Sequence, residues 1–176
     1  MEQKVLENIF QNDPLSQFFY GGCYFQDTLP KLTIGKFFLL NTSFKKSPIG
    51  EHWIGIDLRF KNKIMWLCSY NTKPRSYKLV WQRLKQLGNL TICCFPRRLQ
   101  CPTVTNCGIF VAFMIYQCSR GIDIKLMMRY YFDNMNVYKA TLFVTIVSRA
   151  LFHLTSSIEE LLYDPIFASQ QDTING

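Results

Sequence analysis

Apolar positions along the chain follow two spacings, and the switches between them divide it into elements. Val5, Leu6, Ile9 and Phe10 share one helical face, and Asn12, Asp13 and Pro14 end that helix. The next stretch, PLSQFFYGGCYFQDTLPK (14–31), is aromatic but without period; it is expected to be irregular, with Gly21, Gly22 and Pro30 as turn points. KFFLLNTSF (36–44) has the pattern of a buried strand. From residue 52 the spacing is two: His52, Ile54, Ile56 and Leu58 fall on one face, and Trp53, Gly55, Asp57 and Arg59 on the other. KNK (61–63) turns the chain, and IMWLCSYN (64–71) returns as the second strand of a hairpin. A helical spacing resumes with Leu79, Val80, Leu84 and Leu87 and closes at Gly88.

NLTICCF (89–95) is β-branched and apolar, so a further strand is expected, followed by a loop bracketed by Pro96 and Pro102. CGIFVAFMIYQCSRG (107–121) is apolar almost all round, the signature of a central buried helix. Helices over about 122–135, 138–154 and 156–163 should follow, with 163–176 a loose polar tail. This order of helix, strands, helix, strand and helices predicts an α+β fold in a single domain spanning 1–176, with no repeat, low-complexity tract or linker. The apolar run ATLFVTIV (140–147) is far too short to span a bilayer, so no membrane partner is expected.

Composition narrows the class. An apolar fraction of 48% with 15% aromatic residues excludes a disordered chain. The net charge of +8 makes an anionic partner such as nucleic acid one reading, and a basic protein with a mixed surface the other. Seven cysteines, two of them adjacent (Cys93 and Cys94), follow a start of charged residues. Neither a disulfide framework nor a secretory leader is expected, and no C-x-x-C pair suggests a metal site. Reduced thiols in a cytosolic or nuclear, non-secreted setting are expected.

One of those thiols stands apart. Cys107 follows the polar loop PTVTN and opens the most apolar helix, so its sulfur should face unpaired backbone N–H groups that favour a thiolate. Gly108 leaves room for a substrate backbone. Gln100, on the lip of the same loop, can offer an uncharged amide donor to the oxyanion that forms when a thiolate attacks a carbonyl. His52, one of two histidines, sits at a strand entrance and is the candidate base; His153, among apolar helix neighbours, reads as a packed residue.

His52-Trp53 at a hairpin, then Gln100, then Cys107-Gly108 opening a buried helix, resembles the adenain-type cysteine proteases of adenoviruses, other large DNA viruses and virus-like transposons. More distantly it resembles the SUMO-specific proteases. The segments GGCYFQDTLPK, Asn41-Thr42 and GEHW extend the likeness over roughly residues 18–120. The resemblance implies a central buried helix carrying the nucleophile, packed on a mixed sheet, with extra C-terminal helices. It also implies Cys107 as nucleophile, His52 as general base and Gln100 in the oxyanion hole.

The family's third member, an acidic residue that orients the histidine, falls on Ser69 in this chain. Asn71, two residues on and on the same face of an extended strand, is favoured over it as an amide acceptor. Asp57 lies on the wrong strand face for that role. The family's peptide-cofactor cysteine falls on Asn89, so activation by a disulfide-linked peptide is not expected. No cofactor is implied beyond stimulation by DNA. Lys45, Lys46, Lys61, Lys63, Lys73, Arg75, Lys78, Arg83, Lys85, Arg97 and Arg98 would form either a DNA-binding surface or a solvated basic face.

The implied function is an endopeptidase that processes viral or virus-like capsid and core precursors during particle maturation, in the virion and the host nucleus or cytoplasm. Two alternatives accompany it: a protease that removes a ubiquitin-like modifier, and a catalytically inactive nucleic-acid-binding relative.

Overall fold

Five short strands form one mixed sheet whose two faces are both covered, and the structure, a computed structural model, describes residues 2–46 and 52–152. The elements run α1 (Gln3–Asn12), β1 (Tyr20–Phe25), β2 (Phe37–Asn41), β3 (Trp53–Asp57), β4 (Lys63–Leu67), α2 (Lys78–Lys85), β5 (Thr91–Cys94), α3 (Cys107–Cys118), α4 (Ile124–Met127) and α5 (Val137–Phe152). Strands lie in sequence order, β1-β2-β3-β4-β5. The β2-β3 and β3-β4 pairs are antiparallel, whereas β1-β2 and β4-β5 are parallel. The α+β class expected from the sequence is the class observed.

Side-chain alternation divides the core. Phe37, Leu39, Trp53, Met65 and Leu67 point to the face covered by α1, α3 and α5. Phe38, Leu40, Ile54, Ile56, Ile64 and Trp66 point to the face that α2 closes with Val80 and Leu84. Both faces being apolar explains why β2 reads as a continuous hydrophobic run. Leu79, expected on the buried stripe of α2, is exposed, and Tyr77, Trp81 and Leu87 pack there instead.

α3 is the spine of the larger core. Gly108 to Ile115 are all buried, and Phe113 meets Tyr131, Phe132 and Phe143 edge-on. β3 approaches α3 closely at Gly55, where an added Cβ would stand 3.1 Å from Ile115.

Two expectations need correction. The segment around Gly21-Gly22 is the edge strand β1, parallel to β2, with an irregular register between Tyr20 and Cys23. Its glycines serve close packing: a Cβ on Gly21 would lie 2.5 Å from the Phe38 ring, and Gly22 takes a φ of +115°. The expected helix over 122–135 is α4 continuing into a π-helical turn, Met128–Phe132. The expected helix 156–163, the tail and His153 lie outside the described residues.

Candidate active site

The hairpin β3-β4 and the N-terminus of α3 carry the candidate residues. His52 stands immediately before β3 and is 6% exposed. Its Nε2 lies 3.3 Å from Cys68 Sγ, on the first residue beyond β4. Nδ1 is buried with no hydrogen-bond partner among the described residues. Burial lowers the His52 pKa to about 4, so the imidazole is neutral at physiological pH.

Asn71 does not orient that imidazole. β4 ends at Leu67, and the chain turns at once, with the Asn71 N–H donating to the Cys68 carbonyl at 3.1 Å. Asn71 itself has a φ of +59°, and its side-chain oxygen accepts a hydrogen bond from Lys73 Nζ. The hairpin register moreover sets position 70, not 71, opposite His52, so Asn71 falls on the other strand face. Ser69 is also engaged elsewhere, its hydroxyl donating to Gln100 Oε1 at 2.6 Å. Asp57 sits at the opposite end of β3 from His52, with both carboxylate oxygens on Arg59.

Gln100 is fully buried and anchored on three sides. Besides accepting from Ser69, it donates from Nε2 to the Val104 carbonyl and, at 3.1 Å, to Tyr70 Oη. Both amide hydrogens are thus used in this state. The Gln100 backbone N–H bonds the Ser69 carbonyl, as does that of Leu99, which ties the glutamine loop to the end of β4.

Tyr70 is the residue that sequence reasoning missed. Its ring packs 4.6 Å from the His52 ring and its hydroxyl bonds Gln100 and Val104. The Arg98 guanidinium lies over the same ring, 5.5 Å from its centre. Burial raises the Tyr70 pKa, and charge repulsion from Cys107 raises it further. Tyr70 therefore links the imidazole and the buried amide. Its position opposite His52, in continuation of the β3-β4 register, is the sequence signal that would have found it.

Cys107 is the first residue of α3 and is half-buried. The preceding Asn106 contributes no side-chain cap and instead donates to Thr145 Oγ1, so the helix terminus is left open. His52 and Cys107 are not hydrogen-bonded to each other in this state, the imidazole being held by Cys68.

All seven cysteines are free thiols, and no cluster suited to a metal ion occurs among the described residues. No helix among those residues is long and apolar enough to cross a membrane. The basic residues are partly occupied: Arg97 donates to the Phe132 and Met135 carbonyls, Arg75 stacks on Trp81, and Lys63 pairs with Asp123.

No protein family matches the chain, and no curated protein matches it. Among solved structures it is similar to the pS273R protease of ASFV, at 22% identity, covering 62% of this chain and 43% of that one, with a TM-score of 0.37. The chain thus spans less than half the length of that protease.

Proposed function

We propose that the chain is a cysteine endopeptidase in which Cys107 is the nucleophile, His52 the base and Gln100 an oxyanion donor. What supports this reading is Tyr70, whose ring packs on the His52 imidazole and whose hydroxyl accepts from the buried Gln100 amide. In this reading His52 takes the Cys107 proton on Nδ1, the ring nitrogen with no partner among the described residues. The thiolate then attacks the scissile carbonyl carbon, forming a C–S bond while the carbonyl electron pair moves to oxygen. Gln100 Nε2 and the Cys107 N–H stabilise that oxygen once the substrate carbonyl displaces Tyr70 Oη. Collapse breaks the C–N bond, His52 returns the proton to the leaving amine, and water hydrolyses the thioester.

The substrates we infer are capsid and core precursors of a virus or virus-like element, with cleavage after a small residue such as glycine and with DNA as a stimulating partner. The sequence resemblance supports this finer part. The test is cleavage of the source's own structural proteins by wild type and Cys107→Ala, with and without DNA. Loss of cleavage in the variant is expected, and retained cleavage would refute the reading. Cleavage of a folded modifier with a Gly-Gly tail, and not of precursors, would favour a deconjugating protease.

A further inference from the structure

We propose that Cys68 is the positioning residue of His52, a sulfur standing where a carboxylate or amide oxygen would otherwise orient the imidazole. The inference rests on the proposed function for its consequence and on geometry for its basis. Cys68 is 1% exposed, and its Sγ is the group that His52 Nε2 meets, at 3.3 Å. His52 is itself more than nine-tenths buried, and its other nitrogen has no partner among the described residues.

The two ring nitrogens differ in what surrounds them, and that decides which one carries the proton. Burial raises the Cys68 pKa, and its sulfur has lone pairs that can accept a hydrogen bond. His52 Nε2–H then donates to Sγ, and Nδ1 keeps its lone pair. The opposite tautomer would leave a buried Nδ1–H with no acceptor, and an orphaned buried N–H is the costlier defect. A base needs a free lone pair, so the tautomer selected by Cys68 is the one the proposed chemistry requires.

The turn after β4 creates this arrangement. Because the strand ends at Leu67, the chain turns at once, with the Asn71 N–H on the Cys68 carbonyl. This path also sets the Tyr70 ring against the imidazole, so packing and hydrogen bonding fix the same ring. An oxygen at position 68 would make the same bond, which makes Cys68→Ser the conservative variant.

Long-range nitrogen–proton NMR of the 15N-labelled full chain reads the ring directly. Wild type and Cys68→Ser should both show His52 protonated on Nε2, and Cys68→Ala should lose that single-tautomer signature. The rate of Cys107 alkylation should fall about tenfold in Cys68→Ala and recover in Cys68→Ser, in line with the usual effect of removing a ligand-orienting partner. An Nδ1–H tautomer in wild type, or an unchanged signature in Cys68→Ala, would overturn the proposal, and the wild-type spectrum decides even if the alanine variant does not fold. If the tautomer is as stated but alkylation is indifferent to His52, the positioning stands and the protease reading fails.

Discussion

The ring of Tyr70 lies 4.6 Å from that of His52, and its hydroxyl holds the second amide hydrogen of the buried Gln100. In the proposed reaction a substrate carbonyl would replace that hydroxyl on the Gln100 amide. Tyr70→Phe keeps the ring and releases that hydrogen. We expect a stability loss of about 1 kcal/mol, the worth of one hydrogen bond, with a higher acylation rate of Cys107. Denaturant melts and a thioester-forming substrate measure both, and a rate that collapses instead would make the hydroxyl a participant in the reaction.

The depressed pKa of His52 links stability to pH. The imidazole takes up a proton near pH 6.5 when unfolded but only near 4 when folded. Below about pH 6.5 the unfolded state binds the proton first, so stability falls as pH drops towards 4 and is fully present above that window. The difference amounts to about 3 kcal/mol at most. Unfolding curves of wild type and His52→Gln should converge as pH falls through this range; parallel curves would contradict the burial argument.

Asp57 is fully buried and carries Arg59, whose guanidinium also donates to Ser119 Oγ at 2.8 Å. Ser119 in turn meets Ser16, and Ser16 bonds Asp13, so the pair anchors the end of α3 to the turn after α1. Asp57→Ala leaves a largely buried cation unpaired and should cost about 3–5 kcal/mol. It should not alter the relative reactivity of Cys107 in the protein that remains folded, since the pair is at the far end of β3. Thermal melts and thiol mapping separate the two effects.

Gly21 tests the corrected edge of the sheet. Gly21→Val drives a side chain into the Phe38 ring and should cost about 1–3 kcal/mol by overpacking. A neutral result in a melting experiment would mean that β1 does not pack on β2 as described.

Much of this was readable from the sequence where a long pattern carried it. The unbroken apolar run fixed α3 and therefore the position of Cys107 at its mouth, and strict alternation fixed the hairpin that presents His52. The misreadings came where one residue decides. Gly21 and Gly22 look like a turn because glycine permits one, yet here a neighbouring ring requires them. The partner of His52 depended on the hairpin register: positions 68 and 70 share its face, so Cys68 and Tyr70 meet it and Asn71 does not. Local spacing does not give that partner, because the turn after β4 is held by bonds from the glutamine loop to Ser69.

The most direct measurement is the rate at which each thiol reacts with iodoacetamide at neutral pH, read by peptide mapping in wild type and His52→Gln. Cys23, Cys93 and Cys94, partly accessible like Cys107, are the internal controls. The account predicts that Cys107 reacts at least about tenfold faster than these, as expected of an activated thiol, and that the advantage shrinks in His52→Gln. A Cys107 no faster than Cys93 and Cys94, or one indifferent to His52, would contradict it.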